Sequence, residues 1–244
     1  MNLSGNTILI TGGASGIGFA LAKRFARFGS QVVICGRRTE QLNLARQICP
    51  ELHTVVADIS HEEGREQLLQ RISQGFPKLN VLINNAGIQN RPPAIQQPQD
   101  WSRSKLEIAT NLEAPIHLSM LFVPHLLKQA NPALINVTSG LSFAPVSYMP
   151  VYCLTKAALH SFTLSLRHQL KDTLMSVIEV IPPAVNTDLG GVGLHAQGVD
   201  LDQFADHCMK HLANGDLEFG FDSSEIRRLA VKPAIDPFFK AMNP

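Results

Sequence analysis

Two residues in the second half of the chain have the side chains and the spacing that proton transfer requires. Tyr152 and Lys156 are four positions apart in a segment predicted to be helical, so both would lie on one helical face. A free phenol titrates near pKa ~10 and is a poor base at neutral pH. A neighbouring ammonium group favours the phenolate and lowers that pKa. The pair is therefore a candidate acid–base site, although a single tyrosine is usually a packing residue and a single lysine a solvated one.

A glycine-rich segment, T-G-G-A-S-G-I-G over residues 11–18, separates the first predicted strand from the first predicted helix. Glycines let the backbone turn tightly and let phosphate oxygens approach the amides. The helix N-terminus adds unpaired N–H groups and the positive end of its dipole. The position of the cluster favours a phosphate-binding turn over an ordinary tight turn. The predicted contacts are Gly12, Ser15, Gly16, Ile17 and Gly18.

The elements that must position these residues alternate along the chain. Short, β-rich apolar runs predict buried strands at residues 7–11, 31–35, 53–57, 81–84, 133–137 and 176–181, with a possible short last strand within 215–221. Helical patterns occupy residues 17–28, 39–49, 62–75, 100–110, 112–129, 151–170 and 201–213. The alternation predicts an α/β fold: a single doubly wound, Rossmann-type parallel sheet with helices on both faces. Such folds bind ligands beyond the carboxyl ends of their strands.

The composition narrows the classes of protein to consider. The 244 residues suit one domain, and 45% hydrophobic against 17% charged residues excludes intrinsic disorder. A formal net charge of +1 argues against a nucleic-acid or anionic-membrane partner. Four cysteines without a C-x-x-C pair, no signal-peptide pattern and no apolar run of about 18 residues predict a cytoplasmic protein. The nine histidines show no ligand spacing, so no metal site is expected.

Further motifs accompany the glycine turn and the Y-x-x-x-K pattern of residues 152–156, in a fixed order. N-N-A-G follows the fourth predicted strand at residues 84–87, and Ser139 ends the fifth, 13 positions before Tyr152. Together, over roughly residues 5–188, these motifs resemble the classical short-chain dehydrogenase/reductase family. In broad appearance the chain is similar to the DltE-like bacterial members of that family, a label that fixes no substrate.

The resemblance implies an oxidoreductase that moves a hydride between a nicotinamide cofactor and a small carbonyl or alcohol substrate, with Tyr152 as general acid/base. It implies that Ser139 hydrogen-bonds the substrate oxygen and that Lys156 hydrogen-bonds the nicotinamide ribose. Asn111 would hold a water that relays protons from Lys156 to solvent. Besides Tyr152 and Lys156, the implied cofactor contacts are Asp58, Ile59, Asn85, Ala86, Gly87, Pro182, Val185 and Thr187.

The end of the second predicted strand bears on the choice of dinucleotide. NAD-binding proteins of this architecture usually place an acid there against the ribose 2′-hydroxyl, whereas an arginine accommodates a 2′-phosphate. Gly36 occupies the place of the acid, and Arg37 and Arg38 follow it. Because the guanidinium fork suits a phosphate, the expected cofactor is NADP(H), with NAD(H) less favoured. The alternative is a solvent-exposed arginine pair in an ordinary loop.

Two segments depart from the pattern of the family. Pro183 stands where the family commonly has glycine, and the tail from residue 220 lacks the usual D-G-G ending. Proline fixes φ and removes a donor, which would alter this loop. Residues 188–244 are expected to form a substrate loop and a C-terminal extension of the single domain 1–244. The glycine-rich stretch 189–199 would act as a lid or be a surface loop, and the tail would serve dimerisation or cover the pocket. A homodimer or homotetramer is expected.

The identity of the substrate does not follow from these patterns. The expected pocket wall is mainly apolar, and no cluster of charged groups points to a strongly anionic substrate. The wall residues are Leu141, Phe143, Val146, Tyr148, Val185, Leu189 and Leu194. The alternative function is a non-catalytic dinucleotide-binding sensor or scaffold on the same fold. A nucleotide-dependent transferase is a third possibility, but it has no use for the tyrosine–lysine pair.

Overall fold

The computed structural model describes residues 1–230 and residue 241, and a seven-stranded parallel sheet forms its centre. The order of the strands is β3-β2-β1-β4-β5-β6-β7, which confirms the predicted doubly wound, Rossmann-type sheet. Their bounds are β1 (Thr7–Thr11), β2 (Gln31–Gly36), β3 (His53–Val56), β4 (Val81–Asn84), β5 (Ala133–Val137), β6 (Ser176–Ile181) and β7 (Glu218–Gly220).

Helices cover both faces of the sheet. In residues 1–230 they are α1 (Gly16–Arg27), α2 (Thr39–Ile48), α3 (Glu62–Gly75), α4 (Trp101–Ile108), α5 (Ala114–Leu126), α6 (Pro150–Gln169), α7 (Leu201–Asn214) and α8 (Ser223–Leu229). A π-helical turn, Ala109–Glu113, joins α4 to α5, and a 3-10 turn, Gly140–Ser142, follows β5. The sequence pattern predicted α1 to α7 to within a few residues at each end. It did not predict α8, which lies in the atypical tail.

Successive side chains of β1 divide the hydrophobic core into two halves. Ile8 and Ile10 join the cluster on the face covered by α1, α2 and α7, whereas Leu9 joins the cluster on the face covered by α3, α5 and α6. All three are fully buried. A strand that is buried on both faces requires a continuous apolar run, which is why β1 and β2 lack polar alternation.

The strand order reverses at β1, which has β2 on one side and β4 on the other. The connections that leave β1 and β4 run to opposite faces of the sheet, so a crevice opens beyond the carboxyl ends of these strands. The candidate site residues follow the strands that end at this crevice. The fold therefore brings to one edge of the sheet candidate site residues that are distributed over more than half of the chain.

The sequence analysis also made predictions about membrane spans, metal sites, cysteines and the C-terminal tail. In the described part of the chain, no helix combines the length and hydropathy needed to cross a bilayer. The same residues contain no group of three or more His, Cys, Asp or Glu side chains placed to hold a metal ion. The four cysteines are free thiols and all are buried. The roles expected of the tail fall largely on residues 231–240 and 242–244, which lie outside the described residues.

Candidate active site

A cleft of about 1380 Å³ follows the carboxyl edge of the sheet, where the strand order reverses. Segments that follow β1 to β6 build its wall, together with the first turns of α6. Two predicted site residues, Gly18 and Asn111, do not line it. The predicted residues that do are Gly12, Ser15, Gly16, Ile17, Arg37, Arg38, Asp58, Ile59, Asn85, Ala86, Gly87, Ser139, Tyr152, Lys156, Pro182, Val185 and Thr187.

The turn after β1 needs glycine for its backbone conformation and for close approach. Gly12 and Gly16 have φ values of 63° and 53°, in the left-handed region that favours glycine. A Cβ on Gly12 would also lie 2.8 Å from the Cα of Ala86 in the loop after β4. Gly16 begins α1 and lines the cleft. The helix therefore presents its N-terminus, with its unpaired amides, to the crevice.

Gly18 packs behind this turn and does not line the cleft. A Cβ at this position would lie 2.4 Å from Nδ2 of Asn85 and 2.6 Å from the carbonyl oxygen of Gly12. Asn85 uses that amide group to donate to the carbonyl oxygens of Thr11, at 2.9 Å, and Gly12, at 3.2 Å. The missing side chain at position 18 thus makes room for the amide that fastens the glycine turn to the end of β4.

Thr11 is a further positioning residue, and the sequence analysis did not single it out. Its Oγ1 accepts hydrogen bonds from the backbone N–H groups of Asn85 and Ala86, each at 3.0 Å. The hydroxyl group therefore holds the N-N-A-G turn against the last residue of β1. The only sequence signal was its place as the first residue of the glycine motif.

Ser139, Tyr152 and Lys156 meet at the wall of the cleft. Ser139 lies two residues beyond the end of β5, close enough to Tyr152 for its hydroxyl to lower the pKa of the phenol. Lys156 lies one helical turn further along α6, with Nζ 5.9 Å from the centre of the Tyr152 ring. Nζ donates to the carbonyl oxygen of Val137 at 2.8 Å. The three side chains are 4–7% exposed. The structure therefore brings the three predicted catalytic residues together in a part of the cleft wall that is largely shielded from water.

Burial dominates the ionisation of the two groups on α6. It raises the pKa of Tyr152 well above the usual value, and the hydrogen bond with Ser139 opposes that rise. Burial also lowers the pKa of Lys156 to about 8, while the charge of Glu179 opposes the fall. The predicted lowering of the phenol pKa by Lys156 therefore has the wrong sign in this structure, because desolvation of the phenolate outweighs other influences. At neutral pH Tyr152 is a protonated phenol, which suits it to donate a proton.

Asn111 lies in the π-helical turn between α4 and α5 and is fully buried. Its Oδ1 accepts from the N–H of Ile88 and its Nδ2 donates to the carbonyl of Ile88, both at 2.8 Å. A Cβ on Gly87 would lie 3.5 Å from Oδ1 of Asn111 and 3.8 Å from Nζ of Lys156. Asn111 thus holds the loop after β4 beside Lys156. π-helical turns are frequent at functional sites, where the extra residue redirects side chains.

Comparison with known proteins agrees with this arrangement. The family model described as short chain dehydrogenase matches residues 6–194. The chain belongs to the short-chain dehydrogenase family. It is 43% identical to an uncharacterized oxidoreductase, DltE, of Bacillus subtilis (strain 168), over 100% of this chain and 98% of that protein. The predicted family and its DltE-like resemblance are confirmed, and oxidoreductase is the class of activity that they support.

Two solved structures have a fold similar to that of the chain over more than nine-tenths of its length. A short-chain dehydrogenase from Sphingobium yanoikuyae in complex with NADPH is 25% identical, with a TM-score of 0.80 over 97% of this chain and 93% of that one. A 3-ketoacyl-(acyl-carrier-protein) reductase from Brucella melitensis complexed with NADH has a TM-score of 0.81 at 24% identity, over 91% of this chain and 100% of that one. The first of these neighbours was solved with NADPH and the second with NADH.

At the end of β2, this short-chain dehydrogenase has an open space and basic side chains. A Cβ on Gly36 would meet no atom within 4 Å. Arg37 and Arg38 line the cleft next to it. Asp58 lies beyond the end of β3, and its Oδ1 accepts from the N–H of Ser60 at 3.0 Å and from its hydroxyl at 2.7 Å. Burial raises the pKa of Asp58, but these hydrogen bonds and the charge of Arg37 give a net lowering.

The loop after β6 closes one side of the cleft. Pro182 and Pro183 line it, and the N–H of Gly140 donates to the carbonyl of Pro182 at 2.9 Å. Thr187 lies against the glycine turn, because a Cβ on Gly16 would be 3.4 Å from its Cγ2. The glycine-rich stretch that follows forms consecutive turns. It reaches the loop after β4, where His195 Nε2 lies 3.1 Å from Oε1 of Gln89.

The substrate side of the cleft contains most of the predicted apolar wall and, in addition, two arginines. Of the predicted wall, Leu141, Val146, Tyr148, Val185, Leu189 and Leu194 line the cleft, together with Met149. Phe143 does not: its ring packs on His160, with centroids 4.7 Å apart. Arg91 and Arg227 also line the cleft, and neither was among the predicted wall residues. No sequence pattern pointed to these two arginines, because one lies in an irregular loop and the other in the unpredicted helix α8.

Proposed function

We propose that the protein is an NADP(H)-dependent oxidoreductase that interconverts a small carbonyl compound and the corresponding alcohol. The observation that carries this proposal is that Ser139, Tyr152 and Lys156 line one cleft, with Lys156 one turn after Tyr152 along α6, and that this cleft continues to the glycine turn. Catalysis needs a proton donor and a polar group beside the same substrate oxygen. Tyr152 supplies the proton donor and Ser139 the polar group, and both line the same cleft.

In the reductive direction, the buried phenol of Tyr152 donates its proton to the substrate oxygen as the carbonyl becomes an alcohol. The hydroxyl of Ser139 orients that oxygen and stabilises the negative charge that develops on it. Lys156 provides a positive charge within reach of the phenolate that remains, and Asn111 holds the loop beside Lys156. A bound nicotinamide cofactor supplies or accepts the hydride in this chemistry.

The residues present fit a dinucleotide. The left-handed glycines of the turn leave the N-terminus of α1 open to pyrophosphate oxygens, and Asp58 and Ile59 line the far end of the cleft. NADP(H) is favoured over NAD(H) because Gly36 leaves space where a carboxylate would stand and Arg37 and Arg38 adjoin it. The solved neighbour in complex with NADPH is further support.

The test is NADPH oxidation across a panel of aldehydes and ketones, with Tyr152→Phe as the matched variant. We expect turnover of at least one carbonyl compound by the unaltered protein. Turnover should fall at least about a hundredfold in Tyr152→Phe, because the proton donor is gone, with NADPH affinity retained. Turnover that is unchanged in Tyr152→Phe would refute the role of the phenol. Tight NADPH binding without turnover across the panel would favour the non-catalytic sensor instead.

We also propose that the single domain 1–244 forms a cytoplasmic homodimer or homotetramer. Four free thiols suit a reducing compartment. Apolar side chains are exposed on α5 and α6, among them Met120 at 64% and Leu154 at 55%, and such surfaces are commonly covered by another subunit. Light scattering after size-exclusion chromatography should give a dimer or tetramer, with Leu154→Glu shifting the mass downward. A monomer at all concentrations would contradict this proposal.

A further inference from the structure

Two arginines from distant parts of the chain meet the substrate side of the cleft. Arg91 comes from the loop after β4, and Arg227 comes from α8 in the tail. The apolar residues Leu141, Val146 and Leu189 line the same part of the wall. A cationic group beside an apolar wall is a combination that recognises an amphipathic anion, because the charge fixes one end of the ligand while the wall covers the rest.

Arg227 is placed next to the catalytic serine. A Cβ on Gly140, the residue after Ser139, would lie 2.8 Å from Cβ of Ser224 and 3.3 Å from a terminal guanidinium nitrogen of Arg227. The helix that carries Arg227 is fixed in place, because the hydroxyl of Ser224 donates to the carbonyl of Ile181 at the end of β6 at 2.6 Å. The guanidinium group is therefore held close to the 3-10 turn that begins at Ser139.

Arg228, the residue after Arg227, has a structural role in α8. Arg228 pairs with Glu225 at 2.6 Å and with Glu218 at 3.3 Å. Among the described residues Arg227 makes no ion pair, although Asp222 is near enough for its charge to raise the pKa of Arg227 against the lowering caused by burial. Arg228 thus links α8 to β7 through Glu218. Arg227 is half-buried and lines the cleft.

Arg91 lies over the ring of Tyr148. Its guanidinium carbon lies 5.5 Å from the centre of the Tyr148 ring, and Tyr148 is also near enough to Arg227 to influence the pKa of that guanidinium group. The loop that carries Arg91 is anchored by Asn90, whose N–H donates to the buried carboxyl group of Glu107 at 3.0 Å. No ion pair to Arg91 occurs within residues 1–230. Among the described residues that line the cleft, the carboxylates are Asp58 and Asp188. Asp188 directly follows Thr187, which lies against the glycine turn.

We propose that Arg91 and Arg227 form a carboxylate-binding subsite, so that the substrate is an oxo acid: an aldehyde or ketone with a carboxylate at a distance from the carbonyl group. This inference rests on the proposed function, because it assigns the substrate class of the same cleft. The carbonyl oxygen lies between Ser139 and Tyr152, and the aliphatic part lies against the apolar wall. A guanidinium fork binds a carboxylate through two parallel hydrogen bonds.

The experiment compares matched pairs of carbonyl compounds with and without the carboxylate, using NADPH and the full chain. The pairs are 4-oxobutanoate with butanal, 4-oxopentanoate with 2-pentanone, and 6-oxohexanoate with hexanal. For at least one pair we expect kcat/KM about ten- to a hundredfold higher for the acid, as expected for hydrogen bonds to a charged group. Equal values for every pair, or a preference for the neutral partner throughout, would overturn the inference while leaving the proposed function intact.

Variants test the assignment to the two arginines. Arg227→Gln and Arg91→Gln should each lower the acid-to-neutral ratio of kcat/KM about tenfold, mainly through KM of the acid, and Arg227→Lys should restore part of it. Arg46→Gln, on the exposed face of α2 and outside the cleft, is the matched control and should leave the ratio unchanged. A ratio that stays constant in both cleft variants would exclude the subsite. Melting curves of each variant separate loss of binding from loss of folding.

Binding of an unreactive ligand gives a readout that does not depend on turnover. Hexanoate should bind to the protein with NADP⁺ at least about tenfold more tightly than hexanamide, as measured by calorimetry, and Arg227→Gln should abolish the difference. If no carbonyl compound is reduced but hexanoate binds in this manner, the proposed function fails and the subsite stands. If carbonyl compounds are reduced and hexanoate binds no better than hexanamide, the subsite fails alone.

Discussion

The ammonium group of Lys156 and the carbonyl oxygen of Val137 are 2.8 Å apart, and this hydrogen bond fastens α6 to the end of β5. Val137 is the last residue of β5 and lies two positions before Ser139. The bond therefore sets the distance between the strand that carries Ser139 and the helix that carries Tyr152. Because the site depends on this register between two elements, substitutions in the wall should affect activity more strongly than stability.

Ser139→Ala should lower kcat about a hundred- to a thousandfold, which is the usual effect of removing one donor to a developing oxyanion. It should also raise the pKa of Tyr152 further, because the hydrogen bond from Ser139 is what opposes the effect of burial. Steady-state kinetics across a pH series measures both effects. Ser142→Ala is the matched control, since its buried hydroxyl has no hydrogen-bond partner among residues 1–230. Comparable losses in the two variants would contradict a specific role for Ser139.

Gly18→Ala should destabilise the protein by about 1–3 kcal/mol, the usual cost of inserting a methyl group into a packed site. The new Cβ would lie 2.4 Å from Nδ2 of Asn85, so the amide must leave its bonds to the glycine turn. NADPH affinity should fall as well, because the turn loses its anchor. Chemical denaturation and cofactor titration measure the two effects.

The control for this substitution is Gly75→Ala at the end of α3, where a Cβ would meet nothing within 4 Å and φ is not in the left-handed region. That variant should be neutral or slightly more stable, by up to about 1 kcal/mol, because alanine restricts the unfolded chain. If Gly18→Ala were equally harmless, the packing role assigned to Gly18 would be wrong.

The cofactor preference predicts opposite effects of two neighbouring substitutions. Arg37→Ala should weaken NADPH binding about tenfold, with little effect on NADH, because a phosphate loses a guanidinium partner. Gly36→Asp should weaken NADPH and strengthen NADH, since a carboxylate there hydrogen-bonds a ribose hydroxyl and repels a 2′-phosphate. Gly36→Ala is the uncharged control, and a Cβ at this position would meet no atom within 4 Å. Equal dissociation constants for NADPH and NADH in the unaltered protein would end the NADP assignment.

The parts of the site that the sequence predicted are those set by local spacing. Tyr152 and Lys156 share a face because both lie on one long helix, and the glycine turn directly joins β1 to α1. Arg227 was not predictable, because its place beside Gly140 depends on the packing of α8 against the end of β6. The direction of the pKa shift of Tyr152 was missed for a related reason. Burial is a property of the assembled wall, whereas the charge of Lys156 could be read from spacing alone.

Lys156→Met should make the protein more stable at pH 7 while removing its activity. Burial lowers the pKa of Lys156 to about 8 in the folded state, below its ordinary value in the unfolded chain. Below pH 8 the folded protein must keep a buried ammonium group charged, which costs on the order of 3 kcal/mol at most. Between about pH 8 and pH 10.5 the unfolded chain binds more protons than the folded one, so this cost falls as pH rises.

The gain in stability from Lys156→Met should therefore be larger at pH 7 than at pH 9.5. The lost hydrogen bond to Val137 subtracts about 1 kcal/mol at either pH, so it does not alter the comparison. Urea denaturation at the two pH values measures the difference directly. A gain that is the same at both values would mean that Lys156 titrates in the folded protein as it does in the unfolded chain. In that case the charged ammonium group of Lys156 would not reduce the free energy of unfolding, and burial would not determine the pKa of this residue.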